Sequence, residues 1–156
     1  MTEPELIICD TPSHFDLAIK LTKDYVVWLG EDLHYQGIEK ELENFHKMYN
    51  SPNGAFIYVL IDGNVAGGVG VRKLTDGTCE MKRLFVYDTC RGYQLGQYLC
   101  QKLIAISKDL GYSKMRLDTL PRLKNAVQLY KYLGFYEISN YNNNPDERVR
   151  YMEIVL

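Results

Sequence analysis

The sequence predicts one mixed α/β domain of the α+β type: a twisted, mostly antiparallel sheet with one parallel strand pair and helices on both faces. Two observations carry this prediction. The hydrophobic period changes from helical to alternating at about residue 55 and becomes helical again after residue 93. The segment 79–119 then follows a strand-helix-strand pattern, which is typical of a right-handed crossover between parallel strands. A chain of 156 residues suits one domain, so residues 1–156 are assigned to a single domain.

The first third of the chain predicts a strand and two helices. An apolar run at residues 5–9 is the strand, and residues 12–29 carry apolar side chains at helical spacing as far as Gly30. A second helix is predicted from Ile38 to Tyr49, because its apolar side chains fall on one face and its charged side chains on the other. A Ser-Pro-Asn-Gly sequence ends this helix, since these residues favour turns.

The remaining segments alternate between strand and helix patterns. Asp62-Gly63 stands between two apolar runs and predicts a hairpin, which begins a three-strand meander. Gly111 and Gly134 each follow a helical pattern and suit the position after a helix end. The predicted elements are strands at 55–61, 65–74 and 80–87, a helix at 93–110, a strand at 114–119, a helix at 122–133 and closing strands at 135–141 and 149–156.

The charge balance excludes several classes of partner. The chain has 18 Lys and Arg residues against 20 Asp and Glu residues, a formal net charge of −2, with no basic cluster. It therefore lacks the basic surface of a nucleic-acid-binding protein and the polybasic segment of a membrane anchor. The longest uncharged apolar stretch, residues 55–61, is too short to span a bilayer, and the acidic N-terminal sequence is unlike a secretory signal. We expect a cytoplasmic protein with neither nucleic acid nor a membrane as a partner.

The four cysteines and three histidines do not form a metal-binding pattern. Cys9, Cys79, Cys90 and Cys100 lack the Cys-x-x-Cys spacing of zinc sites, and the histidines are not paired as ligands. No metal site is therefore predicted. An even number of cysteines also permits two disulfides, but the missing secretion signal and a full-sized core favour reduced thiols.

The segment from Leu84 to Gln97 is the most informative part of the sequence. A strand there leads through an Arg-Gly loop into a helix that carries a glycine near its start. The unpaired N–H groups and the dipole of a helix start form a binding site for phosphate. Gly92 would permit backbone angles closed to other residues, and Gly96 would let a ligand approach the backbone. The alternative is that Gly92 ends a loop and Gly96 relieves packing, since the segment is neither a P-loop nor a dinucleotide-binding fingerprint.

Two motifs in this order resemble the Gcn5-related N-acetyltransferase (GNAT) superfamily. The family's phosphate-loop motif, Arg/Gln-x-x-Gly-x-Gly/Ala, is similar to the segment that contains Arg91, Leu95 and Gly96. Its helix ending, Ala-x-x-Leu-Tyr-x-x-Leu-Gly-Phe, is similar to residues 126–135. The resemblance covers essentially the whole chain. It implies the GNAT-like acyl-CoA N-acyltransferase fold and the transfer of an acetyl group from acetyl-CoA to an amine.

The resemblance also implies which residues hold acetyl-CoA. The strand edge at Leu84, Phe85 and Val86 would pair with the pantetheine arm, and an N–H group of Phe85 or Val86 would polarise the thioester carbonyl. The sequence departs from the family pattern at Gln94, where a glycine is usual, and at Leu123, where an asparagine is often found. The pyrophosphate would lie on the loop and helix start formed by Arg91, Gly92, Tyr93, Gln94, Leu95, Gly96 and Gln97.

Two residues are candidates for proton transfer. Tyr130 matches the family's general-acid position and would protonate the departing thiolate; the alternative is a core aromatic residue on the inward face of its helix. Glu80 stands eleven positions before Arg91, a spacing that resembles that of the glutamate base in the histone-acetyltransferase branch. A half-buried cleft would raise the pKa of Glu80 towards the working pH. The alternatives are a solvated strand residue paired with Lys82 or Arg83, and a chain of waters as the base.

Acceptor binding is expected in the two segments that flank the cleft in the family, the loop between the first two helices and the last hairpin. Glu31, Asp32 and Tyr35 in the first segment could hold a cationic amine by charge and cation–π contact, and Tyr141 lies in the second. The alternative is a solvated acidic loop, in which His34 is a polar loop residue rather than a base.

The sequence therefore predicts an acetyl-CoA-dependent N-acetyltransferase that acts by direct attack of a primary amine on the thioester. The acceptor would be a small molecule, an amino acid or a peptide amine. One rival prediction is a non-catalytic acyl-CoA-binding or regulatory module, which the departures at Gln94 and Leu123 motivate. The other is an interaction domain whose loop glycines are structural. A homodimer through the terminal strands is compatible with the sequence.

Overall fold

The computed structural model describes residues 3–33 and 37–156. Seven strands and five α-helices are defined within these residues, with a short 3-10 helix at Asp88–Cys90. In chain order the elements are β1 (Glu5–Ile8), α1 (Pro12–Leu29), α2 (Ile38–Glu43), α3 (Phe45–Met48), β2 (Ala55–Ile61), β3 (Asn64–Thr75), β4 (Thr78–Val86), α4 (Leu95–Asp109), β5 (Lys114–Thr119), α5 (Lys124–Leu133), β6 (Tyr136–Ile138) and β7 (Arg150–Val155).

The strands form a single sheet in the order β1-β2-β3-β4-β5-β7-β6. All neighbouring pairs are antiparallel except β4 and β5, which are parallel and are joined through α4. The predicted mostly antiparallel sheet with one parallel pair is therefore confirmed. Strand β7 lies between β5 and β6, so the last two strands form a hairpin added to the parallel pair.

Helices cover both faces of the sheet, as predicted. On one face α4 and α5 pack over a core that includes Met81, Met115 and Leu117. On the other face α1 and α3 pack over the aromatic side chains of Phe56 and Phe85. The sheet therefore separates two hydrophobic layers, and each face of β4 and β5 meets a different set of side chains.

The second predicted helix is divided into two short helices at Asn44. The backbone N–H of Asn44 and its side-chain Nδ2 both donate to the carbonyl of Lys40, at 3.0 and 2.9 Å. This double contact closes α2, because asparagine competes for backbone carbonyls with its own side chain. The apolar face predicted from Ile38 to Tyr49 is nevertheless correct, since Ile38, Phe45 and Tyr49 are all buried.

Other boundaries differ from the prediction by a few residues. Helix α4 begins two residues after the predicted start, because Gln94 has a left-handed backbone. The closing strands are shorter than predicted, because the segment between them forms side-chain-capped turns. In these turns a side-chain oxygen accepts one or two backbone N–H groups. The residues that supply the oxygens are Asn140, Asn142, Asn144 and Asp146.

A β-bulge at Arg83 changes the alternation of β4. The register with β3 shifts between the pairs Gly70–Lys82 and Gly68–Phe85, and Arg83 has a φ of 63°. As a result Arg83 and Phe85 both face the α1 side, while Leu84 packs with Met81 on the α4 side. The bulge therefore sets which side chains border the end of β4.

No helix among residues 3–33 and 37–156 is long and apolar enough to cross a membrane.

Candidate active site

A cavity of about 520 Å³ opens where β4 and β5 separate. The two strands pair only from Thr78 to Glu80 and from Lys114 to Arg116. Beyond these pairs Leu84, Phe85 and Val86 line one side of the cavity, and the residues from Leu117 to Leu120 line the other. The backbone edge of β4 therefore faces open space in the middle of the sheet. An extended ligand could pair with it as an added strand does.

One end of the cavity is formed by the start of α4. The first intrahelical bond runs from the N–H of Tyr98 to the carbonyl of Gln94, so the N–H groups of Leu95, Gly96 and Gln97 have no partner within the helix. Gln94, Leu95 and Gly96 line the cavity together with Gly92, whose φ is 92°. This end offers free backbone donors and the positive end of a helix dipole to an anion.

Gly96 also has a structural role, which matches the alternative interpretation that it relieves packing. A Cβ added at Gly96 would lie 3.3 Å from Cδ2 of Leu129 on α5. The absence of a side chain therefore permits the close packing of α4 on α5 as well as access to the backbone. Tyr93 and Gln97, which were also predicted to hold the pyrophosphate, are not among the residues that line the cavity.

Arg91 lies across the open edge of β4. Its Nε donates to the carbonyl of Val86 at 3.3 Å, and its Nη1 is 2.9 Å from Oδ1 of Asp88. The guanidinium carbon is 4.9 Å from the ring centroid of Trp28, a cation–π contact. Both Arg91 and Trp28 line the cavity. An anionic ligand at the start of α4 would therefore draw Arg91 towards itself and change the surroundings of Trp28.

The left-handed backbone of Gln94 explains why glycine suits this position. Its φ is 58° and its side chain makes no capping bond to α4. A left-handed conformation costs a residue with a Cβ roughly 1 kcal/mol, whereas glycine adopts it without this penalty.

We expect Gln94→Gly to raise the free energy of unfolding by up to about 1 kcal/mol, because it removes this strain. The matched control is Gln101→Gly at an exposed position inside the same helix, which should lower it by roughly 0.5 to 1 kcal/mol. Urea unfolding without ligand measures both changes. A loss of stability in Gln94→Gly as large as that of the control would contradict the strain argument.

Tyr130 borders the cavity from the α4 and α5 side of the sheet. The residue is buried, its ring meets Phe135 edge-on with centroids 5.8 Å apart, and it lines the cavity beside Leu129. Burial, followed by the neighbouring Cys100, Tyr25 and Asp118, holds the pKa of Tyr130 well above its ordinary value. Tyr130 is thus both a core aromatic residue and a cavity-facing one. Its hydroxyl keeps its proton at neutral pH and can act as a donor.

Glu80 lies in a buried network of charges. Its Oε1 accepts from Nε of Arg72 at 2.9 Å, and its Oε2 accepts from the hydroxyl of Tyr141 at 2.6 Å. Burial alone would raise the pKa of Glu80, but the charges of Lys82 and Arg72 and the two hydrogen bonds hold it below its ordinary value. The raised pKa expected from the sequence is therefore wrong, and Glu80 does not line the cavity.

Comparison with known proteins agrees with this geometry. Residues 22–135 match the family described as the Acetyltransferase (GNAT) family. The chain belongs to the GNAT acetyltransferase family. It is therefore an acyltransferase of a family that takes its acyl group from acyl-CoA. The match includes both the α4 start and the α5 helix ending.

Three similar proteins each cover more than nine tenths of this GNAT chain. An uncharacterised N-acetyltransferase of Schizosaccharomyces pombe is 39% identical over 92% of this chain and 89% of its own. The crystal structure of an acetyltransferase from Streptococcus agalactiae has a TM-score of 0.78 at 21% identity and covers 98% of both chains. A Thermoplasma acidophilum N-acetyltransferase in complex with coenzyme A has a TM-score of 0.71 at 15% identity, covering 97% of this chain and 99% of its own. The GNAT fold is therefore confirmed.

Of the residues predicted to bind the acceptor, one lines the cavity and another does not. Glu31 lines the cavity, but its two carboxylate oxygens are paired with Arg122 at 3.2 Å and Arg148 at 3.3 Å. Tyr141 does not line the cavity, because its hydroxyl turns towards Glu80. The prediction for Tyr35 lies outside the described residues.

Several residues that line the cavity were not predicted from the sequence. Trp28, Asp118 and Arg122 line the cavity, although none of them belongs to either GNAT motif. Their only sequence signal is position: each lies close to the end of a helix or strand, where binding residues collect.

The described part of the chain holds neither a cluster of potential metal ligands nor a disulfide. No group of three or more potential metal ligands occurs among the residues that the structure describes. All four cysteines are free, and three of them are buried. Burial raises the pKa of the Cys9, Cys79 and Cys100 thiols to about 12.

Proposed function

We propose that the protein is an N-acetyltransferase that transfers an acetyl group from acetyl-CoA to a primary amine. One observation carries the proposal: a single cavity joins the free N–H groups at the start of α4, the open edge of β4, and the side chains of Tyr130 and Asp118. An anion site, a strand-pairing edge, a proton donor and a carboxylate are thus accessible to one bound donor and one acceptor. The acceptor would be a small molecule, an amino acid or a peptide amine.

The donor would lie along β4 with its pyrophosphate at the start of α4. Backbone groups of Leu84, Phe85 and Val86 would pair with the pantetheine arm, and an N–H group of Phe85 or Val86 would polarise the thioester carbonyl. This arrangement relies on backbone donors, which suits a chain whose formal net charge is −2. Arg91 would exchange its contact with Asp88 for one with a phosphate.

The departing thiolate requires a proton, and Tyr130 would supply it. In direct attack the amine nitrogen adds to the thioester carbon, and the carbon–sulfur bond then breaks. The thiolate would take the Tyr130 proton, and the tyrosine would recover one from the new amide nitrogen. The raised pKa of Tyr130 supports this role, because the hydroxyl remains a donor at neutral pH.

The contribution of Glu80 to removing the proton of the amine would be indirect. Its lowered pKa and its contacts with Arg72 and Tyr141 support a carboxylate that holds charges in place rather than one that meets the acceptor. The sequence-based alternative, in which water molecules carry the proton out of the cleft, is compatible with this placement.

Acetyl-CoA binding and turnover test the proposal together. Acetyl-CoA should raise the melting temperature, since a ligand selective for the folded state must stabilise it. It should also change the emission of Trp28, the only tryptophan of the chain, because Arg91 leaves its ring. Release of CoA thiol with a panel of primary amines then measures transfer. No thermal or fluorescence response at millimolar acetyl-CoA would contradict the proposal.

A second candidate is a non-catalytic acyl-CoA-binding or regulatory module. The strained backbone of Gln94 at the start of α4 favours it, because the phosphate site departs there from the family pattern. Acetyl-CoA binding without CoA release over a broad amine panel would select this candidate over the enzyme.

The proposal includes a cellular location. Four free cysteines are typical of a cytoplasmic protein, so we place the protein in the cytoplasm.

The proposal also includes a homodimer. It would use the terminal strands β6 and β7, where Tyr136 and Val155 are exposed apolar side chains. Light scattering after size-exclusion chromatography measures the oligomeric state.

A further inference from the structure

Most charged side chains at the acceptor end of the cavity neutralise one another. Glu31 is paired with Arg122 and Arg148, and Arg148 is also paired with Asp146 at 2.6 Å. These four residues join the end of α1, the loop after β5 and the segment before β7. Their carboxylates are already matched by guanidinium groups, so they offer little to a cationic acceptor.

Asp118 is the exception among the acidic residues that line the cavity. Its Oδ2 accepts from Nδ2 of Asn142 at 2.8 Å, and it makes no ion pair with any residue of the described ranges. A neutral amide orients this carboxylate without cancelling its charge. Asp118 therefore presents a carboxylate without a direct ion-pair partner among the described residues, and its charge interacts at longer range with the buried Lys82.

Asp118 and Tyr130 lie on opposite faces of the sheet. Met115 and Leu117 of β5 pack with Tyr130 in the core beneath α4 and α5, so the alternation of the strand turns Asp118 to the other face. Both residues reach the cavity because β4 and β5 separate between them. After burial, the charge of Asp118 also contributes to the raised pKa values of Tyr25 and Tyr130. A thioester between the strands would thus have a proton donor on one face and a carboxylate on the other.

Part of the cavity wall at the acceptor end is apolar. The side chains of Leu29, Leu33, Leu120, Leu123 and Val149 line this end of the cavity, and they belong to one hydrophobic cluster. An apolar group of the acceptor would be buried there, and removal of this apolar surface from water stabilises binding. A polycationic acceptor would place further charges against these walls without a counter-ion.

We infer that Asp118 binds the ammonium group of the acceptor and takes its proton, and that the acceptor carries a single positive charge and an apolar substituent. The inference rests on the proposed function. The ammonium gives one proton to the Asp118 carboxylate, and the free amine attacks the thioester carbon. The nitrogen then loses a second proton as the amide forms, and the thiolate gains one through Tyr130. One proton finally leaves Asp118 for solvent, which balances the reaction.

Asp118→Asn tests the role of the carboxylate. We expect kcat/KM for the amine to fall about a hundredfold, whereas the Kd for acetyl-CoA, measured through Trp28 fluorescence, stays within about twofold. Asp109→Asn at the exposed end of α4 is the matched control and should keep full activity. The fluorescence titration also shows whether the variant is folded.

An amine panel tests the acceptor class. 2-Phenylethylamine has one charge and an apolar arm, ethanolamine lacks the arm, and spermidine has several charges. We expect kcat/KM for 2-phenylethylamine to exceed the values for the other two at least about tenfold.

Three results would overturn the inference. The first is full activity in Asp118→Asn, above all if Glu80→Gln is inactive while still binding acetyl-CoA. The second is a preference for spermidine. In the third the wild-type protein binds acetyl-CoA but acetylates no amine, which contradicts the proposed function and the inference with it. The first two leave the proposed function intact.

Discussion

Tyr130→Phe is expected to lower kcat about a hundredfold while the Kd for acetyl-CoA stays within about twofold of the wild-type value. The substitution removes only the hydroxyl, so the ring keeps its edge-on contact with Phe135 and the core of α5 stays packed. The thiolate would then leave without its proton donor. Single-turnover measurements of CoA release give the rate of this step directly.

Tyr132→Phe is the matched control for this prediction. Tyr132 lies on the same helix and is 73% exposed, so loss of its hydroxyl should leave kcat unchanged. The pKa of Tyr130 is raised well above its ordinary value, so its hydroxyl stays protonated. Loss of this proton should therefore not reduce kcat at any pH lower than about 10. Full activity in Tyr130→Phe would show that the general-acid assignment is wrong.

Glu41→Gln is expected to lower the free energy of unfolding by about 3 to 5 kcal/mol, because it removes one partner of a buried ion pair. Glu41 accepts two hydrogen bonds from Arg83, at 2.9 and 3.0 Å, and one from the hydroxyl of Tyr49 at 3.0 Å. The side chains of Glu41 and Arg83 are only 4% and 5% exposed. For a chain of this size the loss corresponds to a melting temperature lower by about 10 °C.

The pH dependence of this loss follows from the pKa of Glu41. Burial alone would raise it, but the hydrogen bonds and charge of Arg83 hold it below its ordinary value of 4.5. The ion pair therefore stabilises the fold fully above the unfolded-state pKa and loses its effect as the pH falls through the folded-state value. The difference between wild type and Glu41→Gln should narrow below about pH 4. Glu43→Gln, at an exposed position of the same helix, should change stability little. A similar loss in both variants would contradict the ion-pair explanation.

The sequence was sufficient where local pattern decides structure. The helical spacing of residues 12–29 and the Asp62-Gly63 turn predicted α1 and the β2–β3 hairpin, because periodicity and turn chemistry are properties of neighbouring residues. The break at Asn44 could not be predicted in the same way. It depends on one side chain competing for the carbonyl of Lys40 within an otherwise regular apolar pattern.

The candidate site was predicted in part for the same reason. Arg91, Gly92 and Tyr130 stand in motifs, and the structure places all three at the cavity. The surroundings of Glu80 were beyond a local pattern, because its partner Tyr141 is 61 positions away. Asp118 belongs to neither of the two GNAT motifs. Its importance appears only when the pairing of Glu31 with Arg122 and Arg148 is known, and these contacts join distant segments.

The short pairing between β4 and β5 has a further consequence for solubility. A strand edge with free backbone groups is normally a hazard, because a second chain can add to it and begin aggregation. The edge at Leu84–Val86 lies inside the sheet, with β5 opposite and α4 above it, rather than at an outer strand. A narrow ligand can enter this gap, but a strand of another molecule, with side chains on both faces, meets β5 first. The protein thus keeps its hydrogen-bonding edge available to a small molecule and protected from its own copies.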